Sequence, residues 1–503
     1  MIGGLRAPVD PAQVLSRAIK ALNSQDPLPI EDVDRALEVA PTDYRLWHIK
    51  GLIHREQDAR ELALPALRRA VELAPNEPLI AHGYARTLLE AGLPSVDAFS
   101  RAMKLSKGDS EVLSGMVAAL IAEGRPQDAI QGLEQVLARS PLWVDGHILL
   151  ASIRWSEGER EGFTRSYDQA LTLHPGSIEL RREQLIALLE AEQFDDTLAR
   201  IEDGRARYGD QPLFISHEAV LRSETGDTEA ADRLFEQIPP LSVANVDVRR
   251  VRHWLRSGRV QEASALLDSW IKTPEQEMFW PYAATAWRMT NDHRSEWLEG
   301  DSRFVGVYDI GDRLPRFDVL AGTLRKLHTA KSQPFSQSVR GGTQTDGNLF
   351  QRIEPEIVAL RDVIRQTVLE HSAQLPAVDP HHPLLRYRPE KVSFSGAWSV
   401  RLQAGGSHAN HVHPMGWLSS AFYVVLPPDL GRDDAGLLTL GEPQAQLRLD
   451  VPPHRLIQPM PGRLALFPSW MWHGTRPFGE GERMTVAFDV ARPNSGIVTL
   501  QQS

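Results

Sequence analysis

Three histidines fall within six positions of the stretch HANHVHPMGWLSSAFYVVLP, residues 408–427. His411 and His413 are two apart, and on a β-strand residues i and i+2 point to the same face. Both imidazoles could therefore enter one cavity and share one ion. A third ligand must then come from a distant strand. The stretch PGRLALFPSWMWHGTRPFGEGERMTVAFDV supplies His473, just past an apolar run. Arg483 follows ten residues later, and Thr485 sits two further on, on the same face of the next strand. A guanidinium is a planar fork suited to a carboxylate. The chain contains no cysteine, which excludes Cys-ligated zinc, iron–sulfur clusters, disulfides and thiol catalysis. Any metal must be held by His, Asp, Glu or carbonyl oxygen.

The order H-x-H, a long gap, His473, then R-x-T resembles the motif of the Fe(II)- and 2-oxoglutarate-dependent oxygenases, over about residues 310 to 500. The resemblance implies a double-stranded β-helix, with Fe(II) and 2-oxoglutarate as cofactor and cosubstrate. It implies that His411 and His473 bind the metal, and that Arg483 pairs with the distal carboxylate of 2-oxoglutarate beside Thr485. It further implies a hydroxylase that uses O2. The chain departs from the commonest pattern at His413, where that family usually carries Asp or Glu. Either His413 is the third ligand of a three-His face, or it supports the site while a carboxylate such as Asp489 or Asp434 completes it. A third imidazole in place of a carboxylate removes one negative charge, which weakens the hold on Fe(II) or shifts the preference to another metal.

Other residues carry weaker expectations. Tyr423, on the strand after the ligands, could hydrogen-bond the cosubstrate or simply fill the core. Arg401 could reach the cavity. His408 and Asn410 read as caps of the loop entering the strand, and Trp398, Trp417, Trp470 and Trp472 as core or rim aromatics. His381 and His382, in DPHHPL, read as a solvated turn.

These side chains need a scaffold, and the C-terminal third has the pattern for one. AWSVRLQ, SAFYVVLP, GLLTLG, RLALFPS and RMTVAFDV are short apolar or alternating runs separated by Pro, Gly and Asp, which predicts a mostly β domain. EPEIVALRDVIRQTVLEHSAQL, 354–375, has apolar residues at helical spacing and predicts one supporting helix. VYDIGDRLPRF, 307–317, reads as a connector, and QSVRGGTQTDGNLF, 337–350, as a loop.

Upstream the pattern is periodic. Pro41 and Pro75 end equivalent A-x-x-x-x-P segments 34 residues apart; the same step separates Pro141 from Pro175 and Pro240 from Pro274. Trp47, Gly51, Ala85, Ala151, Ala219 and Ala284 keep phase with these prolines, and Gly124 and Gly158 mark intervening turns. Small residues let two helices approach closely; Gly makes the turn and Pro ends the second helix. This resembles the tetratricopeptide repeat, in about seven or eight copies.

The expected architecture is thus an α + β multidomain chain. Residues 1–300 form a tetratricopeptide α-solenoid, 301–325 a connector, and 326–503 an oxygenase-like β domain. Such solenoids have a concave groove, which suggests a docked protein or peptide, although a spacer or oligomerisation role fits the same repeats. The 503 residues carry a net charge of −11, which argues against nucleic acid. No run of about 18 apolar residues is present, so no membrane span is expected, and MIGGLRAPVDPAQ does not read as a secretory signal. A cytoplasmic location is expected. Two other functions fit the same residues: a catalytically dead oxygenase fold serving as a scaffold, and a small-metabolite hydroxylase whose repeats only oligomerise or recruit.

Overall fold

A computed structural model describes residues 9–24, 29–331, 337–428, 430 and 434–493. The terminal residues 1–8 and 494–503, assigned from sequence to the outer ends of the solenoid and the β domain, lie outside them. Residues 1–135 with 346–358 form one compact unit, and 136–345 with 359–503 form the other.

Among the described residues, seventeen α-helices, from Pro11–Leu22 to Trp280–Met289, precede the sheet. The first unit shows why the repeat keeps its period. Helices Tyr44–Glu56 and Arg60–Leu73 pack as an antiparallel pair. Gly51 lies at their crossing: a Cβ there would stand 2.4 Å from Leu67 Cγ, so only glycine fits. The same small position is a buried alanine at Ala85 and, in the second unit, at Ala151, Ala219 and Ala284. Each periodic proline lies in the turn after a second helix, where carbonyls have lost their helical donors. Trp47 Nε1 donates to Pro41 O at 2.8 Å. His147, at the same place in a later repeat, brings Nε2 to 3.0 Å from Pro141 O. In these two repeats the residue six after the proline closes the turn.

The second unit carries the later helices and a nine-stranded antiparallel sheet. The strands are β1 Gly306–Asp309, β2 Val339–Gln344, β3 Phe394–His411, β4 Leu418–Val425, β5 Leu438–Leu440, β6 Arg455–Ile457, β7 Arg463–Pro468, β8 His473–Thr475 and β9 Arg483–Val490. Their order is β1-β7-β4-β9-β3-β8-β5-β6, with β2 on β3. This is a double-stranded β-helix. β3 serves both halves: residues Phe394–Leu402 pair with β9, and His408–His411 pair with β8. The strand turns from one half to the other at Gly405, whose φ of +74° is open to glycine but strained for other residues.

β1 lies inside the segment read as a connector, and β2 inside the one read as a loop. Both are short, glycine-containing edge strands without a full apolar alternation, so neither gives the period-2 signal of a core strand. The predicted helix is Pro355–Gln374, and its Ile357, Leu360, Ile364 and Val368 are buried at helical spacing. The final repeat helix joins the sheet directly. Trp472 Nε1, on the loop before β8, lies 3.1 Å from Pro281 O and 3.0 Å from Thr285 Oγ1. Arg288 reaches Gly441 O and, at 2.5 Å, Pro452 O.

Candidate metal centre

His411 and His473 are directly opposed Cα partners on β3 and β8. His413 lies just beyond the end of β3. Each of the three offers a ligand atom, and all three atoms lie within 4.8 Å of one another.

Their other ring nitrogens are already committed. His411 Nδ1 lies 2.8 Å from Ala409 O, and His473 Nδ1 lies 2.9 Å from Met471 O. A carbonyl can only accept, so Nδ1 must carry the proton. Nε2 is then a bare lone pair, the form a metal requires. Burial first, and then the charge of neighbouring histidines, holds the pKa of both rings well below the ordinary value.

His413 is tuned differently. Its Nδ1 donates to Asp489 Oδ2 at 2.5 Å. Burial pushes its pKa down, but the carboxylate outweighs burial and raises it. Asp489 is itself fixed by Ser419, whose Oγ donates to Asp489 Oδ1 at 2.6 Å and lies 3.1 Å from Ser469 Oγ. Asp489 thus stands behind His413, not in the ligand group, and Asp434 is also outside that group. Trp398 and Phe467 wall the cluster, with ring centroids 5.5 Å from His413 and 4.7 Å from His473.

Strand alternation on β9 places Arg483, Thr485, Ala487 and Asp489 on one face. That is the face that meets His413. Arg483 is 2% exposed. No carboxylate among the described residues pairs with it, and its Nε meets no acceptor. The guanidinium lies 5.3 Å from the ring of Tyr423, which is fully buried and whose hydroxyl interacts with that guanidinium. Thr485 is the Cα partner of Tyr423 on β4. A buried guanidinium without a countercharge is costly unless an anion joins it. Three bare imidazole nitrogens beside it suit a divalent transition metal, so the donor set fits Fe(II) together with a carboxylate-bearing ligand.

Two expectations need correcting. Arg401 does not reach the cavity. It is the Cα partner of Met484, on the opposite face from Arg483, and its Nε donates to Glu482 Oε1 at 2.6 Å. His382 is not solvated: it is fully buried. Its Nδ1 accepts from Leu384 N at 3.0 Å, and Trp297, Phe304 and Trp470 enclose it. His381 is exposed, as expected.

His408 was read as a loop cap, but a β-bulge between His408 and His411 brings the two rings to 4.6 Å. Burial first, then the charges of His413 and Arg483, pushes its pKa down to about 3. No sequence signal marks that bulge. Asn410 is structural: it accepts from Thr439 Oγ1 at 3.0 Å and donates to Pro443 O at 3.2 Å.

Comparison with known proteins bears on this geometry. Residues 396–489, from β3 to β9, match the model of a family described as "Putative 2OG-Fe(II) oxygenase". The matched segment lies within the β domain. It is joined here to a tetratricopeptide-repeat array. The chain is 25% identical over 223 residues to cellulose synthase operon protein C of Xanthomonas axonopodis pv. citri, a match covering 40% of this chain and 15% of that protein. Among solved structures, a tetratricopeptide repeat protein from Parabacteroides merdae is 14% identical, with 46% of this chain and 94% of that one covered at a TM-score of 0.31. A Pseudomonas putida prolyl-4-hydroxylase is also 14% identical, with 41% and 99% covered and a TM-score of 0.26. No helix among the described residues is long and apolar enough to cross a membrane.

Proposed function

We propose that the protein is an Fe(II)- and 2-oxoglutarate-dependent dioxygenase that hydroxylates a protein or peptide substrate docked by its repeat array. The observation that carries this reading is Arg483, a buried guanidinium with no carboxylate partner among the described residues, on the same strand face as the carboxylate that orients His413.

Each residue then has a task. His411, His413 and His473 hold the metal through Nε2, with their tautomers fixed by Ala409 O, Asp489 and Met471 O. Arg483 takes the distal carboxylate of 2-oxoglutarate, and Tyr423 and Thr485 line its side of the cavity. Trp398 and Phe467 exclude water around the imidazoles. When bound, the metal would supply the redox chemistry that converts substrate C–H, 2-oxoglutarate and O2 into hydroxylated substrate, succinate and CO2. The groove of the array supplies substrate by docking, as such solenoids commonly do. We further read the protein as cytoplasmic, with no nucleic-acid or membrane partner.

The test is uncoupled turnover. Purified protein is incubated with Fe(II), 2-oxoglutarate and ascorbate, and succinate is measured. Metal-dependent succinate is the expected result, rising when cell protein is added but not when a small-molecule extract is added. Stimulation by the extract alone would favour a metabolite substrate, and a chain that bound no metal and formed no succinate would be a scaffold.

A further inference from the structure

His408 is the one imidazole of the cavity to which the ligand set gives no task. It lies outside the group of three converging ligand atoms, yet its ring touches His411 at a centroid distance of 4.6 Å. Among the described residues, no group hydrogen-bonds its ring. Its place along β3 is informative. Leu402 is the Cα partner of Arg483, His408 of Thr475, and His411 of His473. His408 therefore lies, along the strand, between the position facing the guanidinium and the position facing the metal ligands.

A dicarboxylate reaching from the imidazole cluster to Arg483 would run along this stretch of β3, where the His408 ring stands against His411. It brings more acceptor oxygens than one guanidinium and one metal ion can satisfy. A carboxylate oxygen buried without a donor costs free energy. Every protonation state of imidazole offers at least one N–H, so His408 can supply that donor in any of them.

We infer that His408 hydrogen-bonds the dicarboxylate between the metal cluster and Arg483, and is a cosubstrate-binding residue, not a metal ligand. This rests on the oxygenase reading above. Two substitutions separate a donor from a filler. His408→Phe keeps a ring against His411 but has no N–H, and His408→Gln keeps an N–H donor on a shorter body.

The experiment is isothermal titration of the full chain, first with Mn(II), then with 2-oxoglutarate in the presence of Mn(II). We expect the Mn(II) affinity of both variants to match the parent. We expect 2-oxoglutarate binding to weaken about tenfold or more in His408→Phe, the loss typical of a hydrogen bond to a charged group, and to return largely in His408→Gln. His408→Leu, checked for parental circular dichroism, replaces the Phe variant if that ring disturbs the bulge. The inference is overturned if the variant without an N–H binds 2-oxoglutarate as tightly as the parent. It is also overturned if that variant loses Mn(II) as well, or if the Gln variant is no better than it. A parent chain that binds neither Mn(II) nor 2-oxoglutarate would instead overturn the oxygenase reading, and this inference with it.

Discussion

Asp489 accepts from His413 Nδ1 at 2.5 Å and is held in place by Ser419, so its charge reaches the ion through the imidazole. A hydrogen-bonded carboxylate makes the ring a stronger donor and fixes its tautomer. It also returns to the site some of the negative charge that His413 removes when it stands where a carboxylate is usual. Asp489→Asn is expected to weaken Mn(II) binding by about 10- to 100-fold, measured by calorimetry; unchanged affinity would mean the carboxylate has no electronic role. Arg483→Ala should weaken 2-oxoglutarate binding by about 1.5–3 kcal/mol, the range for hydrogen bonds to charged groups, with Mn(II) still bound. Equal cosubstrate affinity in that variant would remove Arg483 from its proposed role. The period-2 rule pairs His411 with His413 and Arg483 with Thr485 on common faces, while the role of Arg483 comes from the resemblance to the oxygenases. It could not show His408, since a bulge breaks the alternation, nor the pairing of His413 with Asp489 across 76 residues of sequence. It also left the inner face undecided for Arg401, because β9 buries Met484, Val486 and Phe488 on its other face as well.

Between the last repeat helix and β1 the backbone forms a π-helical turn, Glu296–Gly300. Glu299 is buried there, and its Oε1 has no hydrogen-bond partner among the described residues. Burial raises its pKa to about 7, against an ordinary 4.5. The folded chain therefore keeps a proton that the unfolded chain releases between about pH 4.5 and pH 7. Stability from this group is full below that window and falls as pH rises through it. Glu299→Gln keeps the shape without the charge. At pH 8 it should be more stable than the parent by up to about 3 kcal/mol, and near pH 4.5 it should be equal, as read from urea midpoints at the two pH values. A gain of the same size at both values would place the cause elsewhere. The sequence had no mark for this turn, because nothing in WLEG distinguishes a π-turn from an α-turn. By contrast, the repeat helices and the long helix Pro355–Gln374 were plain, since a buried stripe at helical spacing survives any detail of capping. β1 and β2 escaped for the opposite reason: edge strands can be polar and glycine-containing without losing their pairing.

The repeat helices from residue 136 onward and the β domain share one compact unit, although their sequence patterns change character near residue 300. The joint is chemical as well as geometric. Trp472, the residue before His473, packs edge-on against Tyr282 at 5.5 Å, and its indole N–H finds its acceptors on the helix Trp280–Met289. Glu277 pairs with Arg386 and, at 3.1 Å, with Arg492. A fragment beginning at residue 301 would leave Trp472, Arg386 and Arg492 without these partners and expose the surfaces that they bury. Unpaired buried polar groups cost about 1–3 kcal/mol each, a large fraction of the stability of a typical domain. The fragment 301–503 is therefore expected to show a weakened near-ultraviolet circular dichroism signal and a lower urea midpoint than the full chain. Mn(II) binding should fall in step, because the strand carrying His473 begins at Trp472's anchor. The variant Trp472→Phe in the full chain separates the two contributions: it keeps an aromatic ring but lacks the indole N–H, and should lower stability by about 1 kcal/mol with little change in Mn(II) affinity. If the fragment folds with the full chain's midpoint and metal affinity, the β domain is independent of the repeats and the change of pattern near residue 300 is a true domain boundary.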